Sequence, residues 1–103
     1  MATVQIDQSA AGSTLQLAVG DHARLALPEA RTAGYIWKVM SEESPVFALE
    51  DAGFQKAPGV GGTGTHRWTI AAERAGSAEL ELAYGRSWET AAGKSFAITI
   101  LVK

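Results

Sequence analysis

Ser77-Ala78-Glu79-Leu80-Glu81-Leu82-Ala83-Tyr84 and Phe96-Ala97-Ile98-Thr99-Ile100-Leu101-Val102 decide the fold. In the first stretch Ala78, Leu80, Leu82 and Tyr84 alternate with Glu79, Glu81 and Ala83. In the second, Phe96, Ile98, Ile100 and Val102 alternate with Ala97, Thr99 and Leu101. Successive side chains of a strand point to opposite faces, so apolar residues at period two describe a strand with one buried face. A helix from Ala71 to Tyr84 is the competing reading of the first stretch. Gly76-Ser77 interrupts it, and Leu80, Leu82 and Tyr84 fit period two better. Glu79 and Glu81 then form the solvated face of their strand.

The same period extends back toward the N-terminus. Val4 and Ile6 alternate with polar residues, as do Leu15, Leu17 and Val19, and then Ala23, Leu25 and Leu27. Tyr35-Ile36-Trp37-Lys38-Val39-Met40 is apolar on both sides, which predicts a central strand with Trp37 buried. Val46 to Glu50 and His66 to Ala71 are two more strands, with Trp68 and Ile70 on one core face. Gly12-Ser13, Gly20-Asp21, Ser44-Pro45, Pro58-Gly59, Gly61-Gly62, Gly76-Ser77 and Ala92-Gly93 punctuate these runs. About seven or eight short strands so spaced predict an all-β, immunoglobulin-like antiparallel sandwich. No repeat, linker or low-complexity tract divides residues 1–103, so a single domain is expected.

Composition narrows the function classes. Nine Lys plus Arg against eleven Asp plus Glu give a net charge of −2 and a pI near 5.6. No basic footprint for a phosphate backbone is present, so no nucleic-acid partner is expected. Cysteine is absent, which removes a disulfide, a thiolate metal site and a cysteine nucleophile together. The buried Trp of immunoglobulin domains has its counterpart in Trp37, but this sandwich must be held by packing alone. No apolar run approaches the ~20 residues that span a bilayer, so no membrane partner is expected. Met1-Ala2-Thr3-Val4-Gln5-Ile6-Asp7 has neither the basic start nor the apolar run of a signal peptide. The compartment stays open: cytoplasmic, or secreted or periplasmic if a leader was removed.

Nothing in the sequence asks for catalysis. His22 and His66 are the two histidines, and both are expected on strand surfaces. Asp21 precedes His22, but strand neighbours face opposite ways and do not form a dyad. No Gly-x-Ser-x-Gly elbow is present, and two histidines without a spaced carboxylate cluster are no zinc signature. No metal and no cofactor are implied.

Three loop segments are informative. Leu27-Pro28-Glu29-Ala30-Arg31-Thr32-Ala33-Gly34-Tyr35 joins two strands, with Pro28 closing the incoming one and Gly34 supplying a turn. Pro58-Gly59-Val60-Gly61-Gly62-Thr63-Gly64-Thr65 is glycine-rich, but no Lys-Ser/Thr follows and no helix opens, so it is no phosphate loop. Tyr84-Gly85-Arg86-Ser87-Trp88-Glu89 places a cation and an aromatic at a strand end. The three follow alternate strands, and in a Greek-key sandwich such loops cluster at one end.

In these segments the chain resembles the chagasin family, protein inhibitors of papain-like cysteine proteases with an immunoglobulin-like fold. That family carries Asn-Pro-Thr-Thr-Gly-Tyr, then Gly-x-Gly-Gly, then Arg-Pro-Trp. Here the three read Ala30-Arg31-Thr32-Ala33-Gly34-Tyr35, Gly59-Val60-Gly61-Gly62 and Arg86-Ser87-Trp88, in that order. Leu27-Pro28-Glu29, Trp37, Thr63 and Tyr84 flank them similarly. The departures are Ala30 and Arg31 for Asn and Pro, Ala33 for the second Thr, and Ser87 for Pro. Proline fixes φ and Asn bonds loop backbone, so less preorganised loops are expected here.

The resemblance implies a monomeric, reversible inhibitor whose partner is a papain-like cysteine protease. Its implied binding residues are Arg31, Thr32, Ala33, Gly34 and Tyr35, then Gly59, Val60, Gly61, Gly62 and Thr63, then Arg86, Ser87 and Trp88. Thr32 and Gly34 would sit nearest the protease cysteine, the glycine segment along the cleft, and Arg86 and Trp88 on its rim. Two other functions fit the fold: an adhesion or structural domain without a protease target, and a carbohydrate-binding module. The second wants a planar row of aromatics, and Trp88 alone is placed in a loop.

Overall fold

Each period-two stretch forms a strand. The computed structural model describes residues 2–56, 63–86 and 94–103. Its strands there are β1 (Thr3–Asp7), β2 (Thr14–Leu17), β3 (His22–Glu29), β4 (Tyr35–Val39), β5 (Phe47–Gln55), β6 (Gly64–Ala72), β7 (Gly76–Arg86) and β8 (Lys94–Val102). The helix considered over Ala71 to Tyr84 is absent, and Glu79 and Glu81 are exposed on β7. Strands β5, β6 and β7 extend beyond the alternating cores that announce them, because ladder partners hold residues whose own pattern is irregular.

Two four-stranded sheets face each other, in the orders β1-β3-β6-β5 and β2-β8-β7-β4. Strands β3, β6 and β5, and likewise β8, β7 and β4, pair antiparallel, but β1 on β3 and β2 on β8 run parallel. The N-terminal segment divides itself between the sheets. It leaves β1, turns at Gln8–Ala10 and continues as β2 on the opposite layer. Leu25, Leu27, Ile70, Leu80, Leu82, Phe96, Ile98 and Ile100 fill the space between the layers, all essentially inaccessible. Burial of side chains of this size stabilises by about 1.5–3 kcal/mol each, and no covalent cross-link supplements it.

Strand β4 corrects one expectation. It is an edge strand, not a central one. Its inward face carries Tyr35 and buried Trp37, while Lys38, Val39 and Met40 are exposed and Ile36 is half-buried opposite Gly85. An aromatic face toward the core, together with one aliphatic side chain lying over a glycine, imitates a two-sided apolar strand.

Candidate functional site

The strand registers bring the described flanks of the three loop segments to one end of the sandwich. In the first sheet Glu29 lies opposite Gly64, and Gln55 opposite Thr65. In the second, Tyr35 lies opposite Arg86, and Tyr84 opposite Lys94. Five residues, 30–34, carry the chain from the first sheet to the second at this same end. Gly64 is packed so closely that a Cβ there would overlap the Phe54 ring and approach the Gln55 carbonyl oxygen to 2.6 Å. The last glycine of the segment therefore serves the sheet.

The first segment is a single turn of 3₁₀ helix, Arg31–Ala33. Ala33 N–H donates to Ala30 O at 3.0 Å, and Gly34 N–H to Arg31 O at 2.9 Å. Gly34 closes the turn at φ 87° and ψ 4°, a left-handed conformation that glycine adopts without steric cost. Side chains from the flanking strands hold the turn. Tyr84 Oη accepts from Ala30 N–H at 2.8 Å, and Trp37 Nε1–H donates to Pro28 O at 2.9 Å. Tyr35 and Tyr84 stack with ring centroids 5.3 Å apart, Trp37 lies 4.6 Å from Tyr84, and the Arg86 guanidinium sits 4.7 Å above Tyr35. These rings close the loop-bearing end of the core.

Beneath the turn lies a buried charge network. Glu29 is fully inaccessible. Its Oε1 accepts from Arg31 Nε at 2.9 Å and lies 2.8 Å from Arg31 Nη2. Its Oε2 accepts from Trp37 N–H at 2.9 Å and lies 3.0 Å from His66 Nδ1. On the other side of the ring, His66 Nε2 meets both Asp51 oxygens at 2.8 and 2.9 Å. A β-bulge between Asp51 and Gly53 turns that part of β5, and Gly53 N–H donates to Asp51 Oδ1 at 2.8 Å.

His66 is thus buried, against the expectation of a surface histidine. It shares the inward face of β6 with Trp68, on which it stacks at 4.0 Å. His22 is half-buried on β3. Ionised carboxylates only accept, so an imidazole flanked by two of them satisfies both contacts when both ring nitrogens carry protons. Both ring nitrogens are thus engaged by carboxylates of neighbouring strands.

Burial pushes the Asp51 carboxyl up, but hydrogen bonds from His66 and Gly53, with the charges of His66 and Arg31, outweigh it and hold the group below its ordinary value. A carboxyl lowered by folding adds stability above its unfolded value, and that stability is lost as pH falls through the folded one. Asp7, bonded by Ser9, and Asp21, bonded by the Ala2 and Ala18 N–H groups, are lowered in the same direction. Melting temperature is therefore expected to fall as pH drops below about 4. Asp51→Asn should flatten part of that slope. A melting curve series for both proteins that runs parallel down to acid pH would remove Asp51 from this account.

Arg31, Ala33, Gly34, Tyr35, Thr63 and Arg86, with the Thr32 backbone, stand at this end of the sandwich. Gly59, Val60, Gly61, Gly62, Ser87 and Trp88 lie outside the described residues. Glu29, Asp51, His66 and Tyr84 support the turn without having been read as site residues. For two of them a signal existed: Glu29 continues the inward series Ala23, Leu25, Leu27, and His66 precedes Trp68 and Ile70 at period two. A titratable group on an inward face calls for a buried partner.

The sequence model described as "Chagasin family peptidase inhibitor I42" matches residues 16–100. No curated protein sequence matches the chain. Among solved structures it is similar to the cysteine protease inhibitor EhICP2 from Entamoeba histolytica, at 18% identity and a TM-score of 0.86, over 99% of this chain and 96% of that one. It is similar to Amebosin at 26% identity and a TM-score of 0.74, over 97% of each chain. PbICP-C, solved in complex with falcipain-2, shares 16% identity and a TM-score of 0.72, over 98% of this chain and 89% of that one.

Proposed function

From the premise that the chain belongs to the chagasin family of peptidase inhibitors, we propose that it reversibly inhibits papain-like cysteine proteases by filling the active-site cleft with its three neighbouring loops. EhICP2 is a cysteine protease inhibitor with the same fold, and PbICP-C is an inhibitor-fold protein bound to falcipain-2. The observation that carries the reading is the shared end: the strands flanking all three segments stop there, on a rigid two-sheet base.

The physical logic is that of a wedge. A protease cleft is concave, so a blocker needs convex loops on a scaffold that does not yield. The turn Arg31–Ala33, closed by Gly34, would enter nearest the catalytic cysteine. Residues 59–62 would lie along the cleft, where glycine lets backbone approach backbone. Arg86 and Trp88 would grip the rim, Trp88 offering a large contact area at small entropic cost. No covalent bond to the protease is required, so the block would be reversible.

Titrating papain with the protein should give stoichiometric inhibition that dilution reverses, and trypsin and a zinc protease should be unaffected. Inactivity of the folded protein against several papain-like enzymes would instead favour an adhesion or structural binding domain.

A further inference from the structure

We propose that Arg31 and Glu29 form a clamp that presets the first loop for docking, so that Arg31 is a positioning residue of this inhibitor. The inference rests on the reading of this end as the protease-facing one. Residues 30–34 contain no proline to restrict their backbone, and the turn is closed by three backbone bonds: Ala33 N–H and Tyr35 N–H to Ala30 O, and Gly34 N–H to Arg31 O. Arg31 supplies the restraint. Its guanidinium makes two contacts with one oxygen of Glu29, at 2.9 and 2.8 Å. Its carbon also lies 4.2 Å over the Phe54 ring, so strands β3 and β5 hold the side chain from two directions.

The partners of Glu29 say what the buried charge is for. A carboxylate placed in a core is costly unless every oxygen is satisfied, and a well-packed apolar residue usually serves stability as well. Here both oxygens are satisfied, and two of the three partner residues bracket the end of the crossing: Arg31 within the turn and Trp37 on β4 just past it. The third, His66, is locked in turn by Asp51. An exposed arginine paired with an exposed acid contributes little. This arginine is about half exposed, but its carboxylate is wholly buried and cannot follow it into solvent. The charge network thus transmits the rigidity of the first sheet to a five-residue turn that would otherwise have to be ordered on binding.

Arg31→Ala and Arg31→Pro separate this role from direct contact. Residue 31 is the first of the 3₁₀ turn, where an N–H needs no partner and proline is accepted. Ala30, at ψ 65°, lies outside the helical region that a following proline disfavours. Proline therefore restores a restraint on the backbone while removing the guanidinium. Both Arg31 variants should melt below the native protein, since each leaves the buried Glu29 Oε1 without its donor. Arg31→Ala should in addition speed amide exchange at Ala33, Gly34 and Tyr35 relative to the rest of the chain and raise the papain inhibition constant about tenfold. Arg31→Pro should recover most of both losses. Unchanged exchange in Arg31→Ala would overturn the clamp. Recovered exchange without recovered inhibition in Arg31→Pro would make Arg31 a contact residue and not a positioning one. Should the native protein inhibit no papain-like enzyme, the proposed function falls, and the exchange measurements alone still decide whether the clamp holds the loop.

Discussion

Trp68→Ala is expected to lower folding stability by about 3–5 kcal/mol, the usual range for removing a buried aromatic ring. Trp68 is 3% exposed on β6, an interior strand of the first sheet, flanked in register by Leu25 on one side and Asp51 on the other. Its ring also forms the platform under His66, nearly parallel to it at 12°. The truncation therefore opens a void in the core and loosens the imidazole that joins Glu29 to Asp51. Domains of this size have total stabilities of only ~5–15 kcal/mol. At roughly 4–8 °C for each kcal/mol, the melting temperature should fall by more than about 12 °C. Trp37→Ala should behave alike, since it removes a buried ring and leaves the Pro28 carbonyl without its indole donor. Melting of Trp68→Ala within a few degrees of the native protein would contradict this packing.

Trp88→Ala is expected to do the opposite: leave melting nearly unchanged and raise the papain inhibition constant about thirty- to a thousandfold. Removing an aromatic anchor from an interface costs about 2–4 kcal/mol of binding, and each 1.4 kcal/mol is a decade in affinity. The sequence places Trp88 two residues beyond Arg86, the last residue of β7, at the end where the first loop crosses between the sheets. The described residues there already close that end of the core with Tyr35, Trp37 and Tyr84, so the core has no evident need of a further ring. Melting and inhibition measured on the same three tryptophan variants separate the roles. A Trp88→Ala protein that melts early and inhibits normally would return Trp88 to the core and end the assignment of the third loop.

The sequence by itself determined the strands and their inward faces. Alternation is a local property: Leu80, Leu82 and Tyr84, or Ile98, Ile100 and Val102, bury one face whichever strand lies beside them. It also determined the order of the three loop motifs, and with it the resemblance to the inhibitor family, because a motif is carried by neighbours in the chain. What only the tertiary structure decided depends on pairing between distant residues. The edge position of β4 follows from which strand lies at its side, and Tyr35-Ile36-Trp37 carries no record of that. The parallel pairing of β1 with β3 and of β2 with β8 is hidden for the same reason. Departures from the family's Asn and Pro lead one to expect a looser first loop. The structure shows Arg31 tied to Glu29, and Glu29 tied through His66 to Asp51 on a third strand. That network needs residues 29, 51 and 66 side by side, and only the pairing of β3, β6 and β5 puts them there.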